Sequence, residues 1–177
     1  MIWLSSMKYL VYGSIIFLLS YNVHASSITA IVKLKEIKAL KVSEASGDEV
    51  YFTVTHYSNR GVSDHQRVPH FPHYWLSRHL TAVHDVILWK QEILLEEAIQ
   101  IILSLVEHDA PPFNVDDHLG SIKLILQNNQ GQLVSKWMKA DFTDQPLVSA
   151  LSEKLPAYNF KTDHGEYMVT FSLETTA

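Results

Sequence analysis

Residues 49–57, EVYFTVTHY, alternate between two chemistries. In an extended chain successive side chains point to opposite faces, so Val50, Phe52 and Val54 share one side and Tyr51, Thr53 and Thr55 the other. A run of this kind, rich in β-branched and aromatic residues, reads as a strand with one face in a core. The pattern recurs. Residues 28–40 set Val32 and Leu34 against Lys33 and Lys35, and residues 165–173 place Tyr167, Val169, Phe171 and Leu173 on one face. Segments 62–68, 83–89, 98–106, 119–126 and 131–138 have the same character. Residue preference alone would also allow 98–106 to be a helix. Ile99, Ile101, Leu103 and Leu105 nonetheless alternate with Gln100, Ile102 and Ser104, which favours a central strand. Residues 145–155, QPLVSALSEKL, are the one stretch that suggests a short helix. Eight strands separated by turn signals predict an all-β fold, an eight-stranded antiparallel β-sandwich.

The start of the chain reads differently. Lys8 precedes the apolar run YLVYGSIIFLLSY, and Val23 and Ala25 occupy the −3 and −1 positions of a cleavage site. This is the layout of a signal peptide, and its apolar core is shorter than the ~20 residues of a membrane-spanning helix. The expected division is a signal peptide over 1–25 and one domain over 26–177, with the product secreted or periplasmic. There is no cysteine, so an exported domain of this sequence must be held by packing alone. The formal net charge is −5, and loss of 1–25 removes only one cation, Lys8. Such a chain has no general attraction for nucleic acid or for an anionic membrane. It also lacks a Gly-flanked nucleophile elbow, a Gly-rich phosphate loop and a His-Glu-x-x-His motif, and no enzymatic activity is expected.

The charge is concentrated at two places. In SLVEHDAPPFNVDDHLG, Glu107 and Asp109 lie two apart at the end of one expected strand, so they share a face, and Asp116 and Asp117 lie just before the next. In KVSEASGDEVYF, Glu44, Asp48 and Glu49 surround Ser46-Gly47 at the mouth of an early strand. Should the two turns adjoin at one end of a sandwich, they would form an oxygen-rich cup. Crowded carboxylates repel unless a cation sits among them, and hard oxygen ligands on flexible turns suit Ca²⁺. The alternative is a pair of polar loops whose acids face water.

These stretches resemble the C2-domain family. LKVSEASGDEVYF occupies the place of that family's early acidic loop and following strand, with Asp48 at the family's aspartate. SLVEHDAPPFNVDDHLG supplies Glu107, Asp109, Asp117 and Gly120 in the order of its later acidic loop, and RVPHFPHYW, 67–75, loosely resembles its Pro-Trp stretch. The family's first early aspartate falls here at Val42, with Glu44 the nearest acid, and its D-x-D is Glu107-His108-Asp109. The resemblance implies a C2-like sandwich holding Ca²⁺ through Asp48, Glu107, Asp109 and Asp117, with Glu44 and Asp116 in support. It further implies that the tip, with Phe113 and Val115, dips into a phospholipid surface while the cation bridges to phosphate. A metal-free module that binds a protein partner through the same sandwich is the second reading.

A third reading rests on histidine. Five histidines fall within 65–84: His65, His70, His73, His79 and His84. His70-x-x-His73 with His79 could hold Zn²⁺ or Cu²⁺, which accept imidazole, as in a periplasmic transition-metal-binding protein.

Overall fold

A computed structural model describes residues 27–109, 115–140 and 157–176 of the chain. The leader at 1–25, the expected helix at 145–155 and Phe113 lie outside the described residues. Each of the eight expected strands has a counterpart: β1 (Ile28–Lys41), β2 (Glu49–Ser58), β3 (Ser63–Val68), β5 (Val86–Ile93), β6 (Ala98–Glu107), β7 (Asp117–Asn129), β8 (Gln132–Lys139) and β10 (Gly165–Thr176). Two more bring the described strands to ten: β4 (Trp75–Leu76) and β9 (Ala157–Thr162). β4 is too short to show a period, and β9 turns a single residue, Phe160, fully into the core. A 3₁₀ turn, Ser77–Ala82, follows β4 and buries Leu80.

The strands form two antiparallel sheets. One runs β5-β1-β10-β9; the other runs β3-β2-β6-β7-β8, with β4 also paired to β2. Alternation dictates the packing, since Val50, Phe52 and Val54 of β2 are fully buried together with Ile99, Ile101, Leu103 and Leu105 of β6. From the other sheet Val32, Leu34, Tyr167, Val169 and Phe171 meet them. Phe52 lies at the centre, with edge-on contacts to Trp75, Phe160 and Phe171 at centroid distances of 6.4, 6.2 and 5.8 Å. Edge-to-face pairs of this kind contribute about 0.5–1.5 kcal/mol each beyond the area they bury. Gly120 makes room for Phe160. Its φ is +142°, and a Cβ there would lie 3.0 Å from the Phe160 ring.

The register brings three strand ends to one place. Val50 of β2 faces Glu107 of β6, and Glu107 faces Asp117 of β7. The pairing continues past the strand end, because the His108 N–H donates to the Glu49 carbonyl at 2.6 Å. In the other sheet Lys41, closing β1, faces Glu166 at the start of β10. The loop after β1, the loop after β6 and the β9–β10 turn therefore emerge at the same end of the sandwich.

Candidate metal centre

Glu107 is the innermost acid of that end. It is 2% exposed, yet its Oε1 has no hydrogen-bond partner, and the same is true of Oδ2 of Asp109, which is 7% exposed. A buried polar atom left unmet costs about 1–3 kcal/mol, and more when it carries charge. Burial, and then the nearby carboxylates of Asp109, Asp48, Glu44 and Asp117, push the Glu107 carboxyl up to about 8. The group is thus held protonated at neutral pH unless a positive charge takes the proton's place.

Carboxylate oxygens of Glu44, Glu107 and Asp109 all lie within 4.8 Å of one another. With Ca–O bonds of ~2.3–2.6 Å, ligands on opposite sides of one Ca²⁺ stand ~4.6–5.2 Å apart. The spacing, the all-oxygen donor set and the two orphaned buried oxygens fit a hard divalent cation. No other group of three or more histidines or acids converges in this way among the described residues. Bound through one oxygen each, the three carboxylates fill three of the six to eight positions of Ca²⁺, leaving room for an external oxygen ligand.

The remaining predicted acids reach the same end but are engaged differently. Asp48 is fully buried, and its Oδ1 accepts from the Ser43 N–H (2.9 Å), the Ser43 hydroxyl (3.2 Å) and the Glu44 N–H (3.0 Å). Its Oδ2 accepts from the Tyr167 hydroxyl. Asp48 thereby fixes the loop that carries Glu44, with both its oxygens occupied inside the protein. Gly47 completes the turn: its N–H donates to the Glu44 carbonyl at 3.0 Å, and its φ of +91° suits a residue without a Cβ. Asp116 performs the same service for the second loop. Its Oδ2 accepts from the Tyr51 hydroxyl at 2.6 Å, while Oδ1 accepts from the Asp109 N–H at 3.2 Å and lies 3.0 Å from Nδ1 of His108. Although burial pushes Asp116 up, those hydrogen bonds hold it below the usual carboxylate range. Asp117 pairs with Nδ1 of His164 at 2.7 Å. At the tip Val115 is 82% exposed.

Tyr167, Tyr51, His108 and His164 were not singled out in the sequence, although each organises an acid here. For Tyr167 a signal existed. A tyrosine on the buried face of a strand must find a partner for its hydroxyl, and burial followed by the Asp48 hydrogen bond pushes that hydroxyl far above its ordinary pKa. Burial and Asp116 likewise push Tyr51 up to about 12. The histidines of 65–84 do not assemble. His65 pairs with the Thr55 hydroxyl at 2.8 Å, and no three of the five bring ring nitrogens together.

Fold and site together define a β-sandwich carrying a carboxylate cluster at one end. No protein-family model matches the chain, and no curated protein sequence matches it. A solved structure, human GIVD cytosolic phospholipase A2, is similar at 14% identity, with a TM-score of 0.34; the match covers 86% of this chain and 17% of that one.

Proposed function

We propose that the protein is an exported docking module that binds Ca²⁺ through Glu44, Glu107 and Asp109 and uses the bound cation to engage phosphate on a lipid surface. The observation that carries this reading is the pair of unmet buried oxygens, Glu107 Oε1 and Asp109 Oδ2, inside a cluster whose spacing fits a single cation. Without a cation the site repels anionic lipid. With one, the local sign reverses and the unfilled coordination positions accept phosphate oxygen. Val115, apolar and exposed one residue before Asp116, would enter the interfacial region on docking. The C2-like order of the acids along the chain agrees with this assignment, while Asp48 and Asp116 serve to hold the loops.

Millimolar Ca²⁺ should raise the unfolding midpoint, because a ligand at 100 times its Kd adds about 2.7 kcal/mol. Glu107→Gln with Asp109→Asn should abolish the rise. The protein should co-sediment with vesicles of phosphatidylserine and phosphatidylcholine only when Ca²⁺ is present. A midpoint unmoved by Ca²⁺, with no sedimentation, would leave the metal-free protein-interaction reading in its place.

A further inference from the structure

The acidic loop after β1 is strapped to the 3₁₀ turn, Ser77–Ala82. The Ser77 N–H donates to the Asp48 carbonyl at 2.8 Å, and the Asp48 N–H donates to the Ser77 hydroxyl at 2.9 Å. Gly47 allows so close an approach, since a Cβ there would lie 2.8 Å from Ser77 Oγ. The strap sets the next residue, Arg78, beside the loop that carries Glu44. Ser46 lies between the two: its hydroxyl donates to Glu44 Oε2 at 3.1 Å, and its carbonyl accepts from Arg78 Nη1 at 3.4 Å. Glu44 and Arg78 line one depression of about 310 Å³, and among the described residues Arg78 is the single cationic side chain on its lining.

The chain has three arginines, and the other two are committed. Arg60 donates to the Leu95 carbonyl at 3.2 Å and has Glu97 at 4.0 Å from its Nε. Arg67 lies 3.6 Å from the centre of the Tyr51 ring and donates to the His73 carbonyl at 3.0 Å. Arg78 has neither an acid nor a ring for a partner among the described residues, and its one hydrogen bond there is long. A guanidinium carries five N–H donors in a planar fork that matches phosphate. It also offsets the ligand carboxylates, whose charge an anion approaching the cation would otherwise meet. On the reading that Ca²⁺ is held by Glu44, Glu107 and Asp109, we infer that Arg78 completes the phosphate site: the cation takes one phosphate oxygen and the Arg78 guanidinium takes another. Exposed Val42 on the same lining favours a phosphate carried by lipid over one free in solution.

Co-sedimentation of the whole protein with vesicles of phosphatidylserine and phosphatidylcholine, at saturating Ca²⁺, reads this contact. Arg78→Gln should weaken vesicle binding about tenfold, as expected for loss of a charged hydrogen bond. Calorimetric titration with Ca²⁺ in the absence of vesicles should show that variant binding the cation as tightly as the parent chain or more so, because a guanidinium repels a cation. Arg78→Lys keeps the charge without the fork and should recover only part of the loss. A parent chain that takes up no Ca²⁺ would overturn the cation reading and this assignment together. Intact Ca²⁺ binding with vesicle binding indifferent to Arg78→Gln, or fully restored by Arg78→Lys, would overturn the assignment of Arg78 alone. So would binding of glycerol 3-phosphate that needs Arg78 while vesicle binding does not, which would mark a soluble phosphate as the ligand.

Discussion

Two buried glutamates at the two ends of the sandwich have opposite surroundings. Glu97, in the turn before β6, is 3% exposed, and both its oxygens are met: Oε1 by the Ser58 hydroxyl at 2.5 Å, Oε2 by the Leu94 N–H at 2.9 Å, with Arg60 Nε at 4.0 Å. Fully buried Asn128 closes the same end, its Nδ2 donating to the Ile93 carbonyl and its Oδ1 accepting from the Gly131 N–H, both at 3.0 Å. Glu107 is as deeply buried but stands among acids with Oε1 unmet. Burial of a carboxylate is thus no sign of a site in itself. The first arrangement stabilises the fold, whereas the second, with its oxygen unmet among like charges, costs stability.

The largest break in this comparison should come from Glu97→Ala. It leaves the Ser58 hydroxyl and the Leu94 N–H without their acceptor and is expected to destabilise by about 2–4 kcal/mol in chemical denaturation, with Ca²⁺ restoring none of the loss. Glu107→Gln should act in the other direction. A neutral isostere relieves the repulsion, and the cation-free variant is expected to gain about 1–2 kcal/mol at pH 8 while losing its response to Ca²⁺.

The same residue sets a pH dependence. Its folded pKa, about 8, lies above the ordinary value of ~4.3 for an unfolded chain, so the folded state holds the proton more tightly. Glu107 should therefore make the cation-free protein lose stability as pH rises from about 4.3 to about 8, with no further loss from this group above that. Denaturation curves at pH 5, 6.5 and 8 should show the trend in the parent chain and a flatter one in Glu107→Gln. The smallest effect belongs to the rim. His164 is 58% exposed where it pairs with Asp117, and His164→Ala should change stability by about 0–1 kcal/mol, the range of exposed ion pairs.

Much of the fold was legible because alternation is a local signal. β1, β2, β6 and β10 carry it over ten residues or more, and their inward residues are the ones the pattern selects. β9 escaped because its sequence, AYNFKT, contributes a single fully buried side chain. β5 runs Val86–Ile93 where 83–89 was expected, because the 3₁₀ turn extends to Ala82 and Asp85 takes a φ of +54°, so the strand begins only at Val86. In the site, the convergence of the two acidic loops followed from their positions at strand mouths. The division of labour among the acids did not. Whether Asp48 offers its oxygens outward or spends them on Ser43, Glu44 and Tyr167 depends on a tyrosine 119 residues away in sequence. The histidine-rich stretch misled for the opposite reason: proximity in sequence places His65 on β3 and His79 in the 3₁₀ turn, on different elements.

Calorimetric titration of the purified protein with CaCl₂ at pH 7, run in two buffers of different ionisation enthalpy, tests the central claim most directly. The account predicts saturable binding accompanied by release of about one proton, as the cation displaces the proton held by Glu107. No binding heat at millimolar Ca²⁺, or binding that persists unchanged in Glu107→Gln with Asp109→Asn, would contradict it.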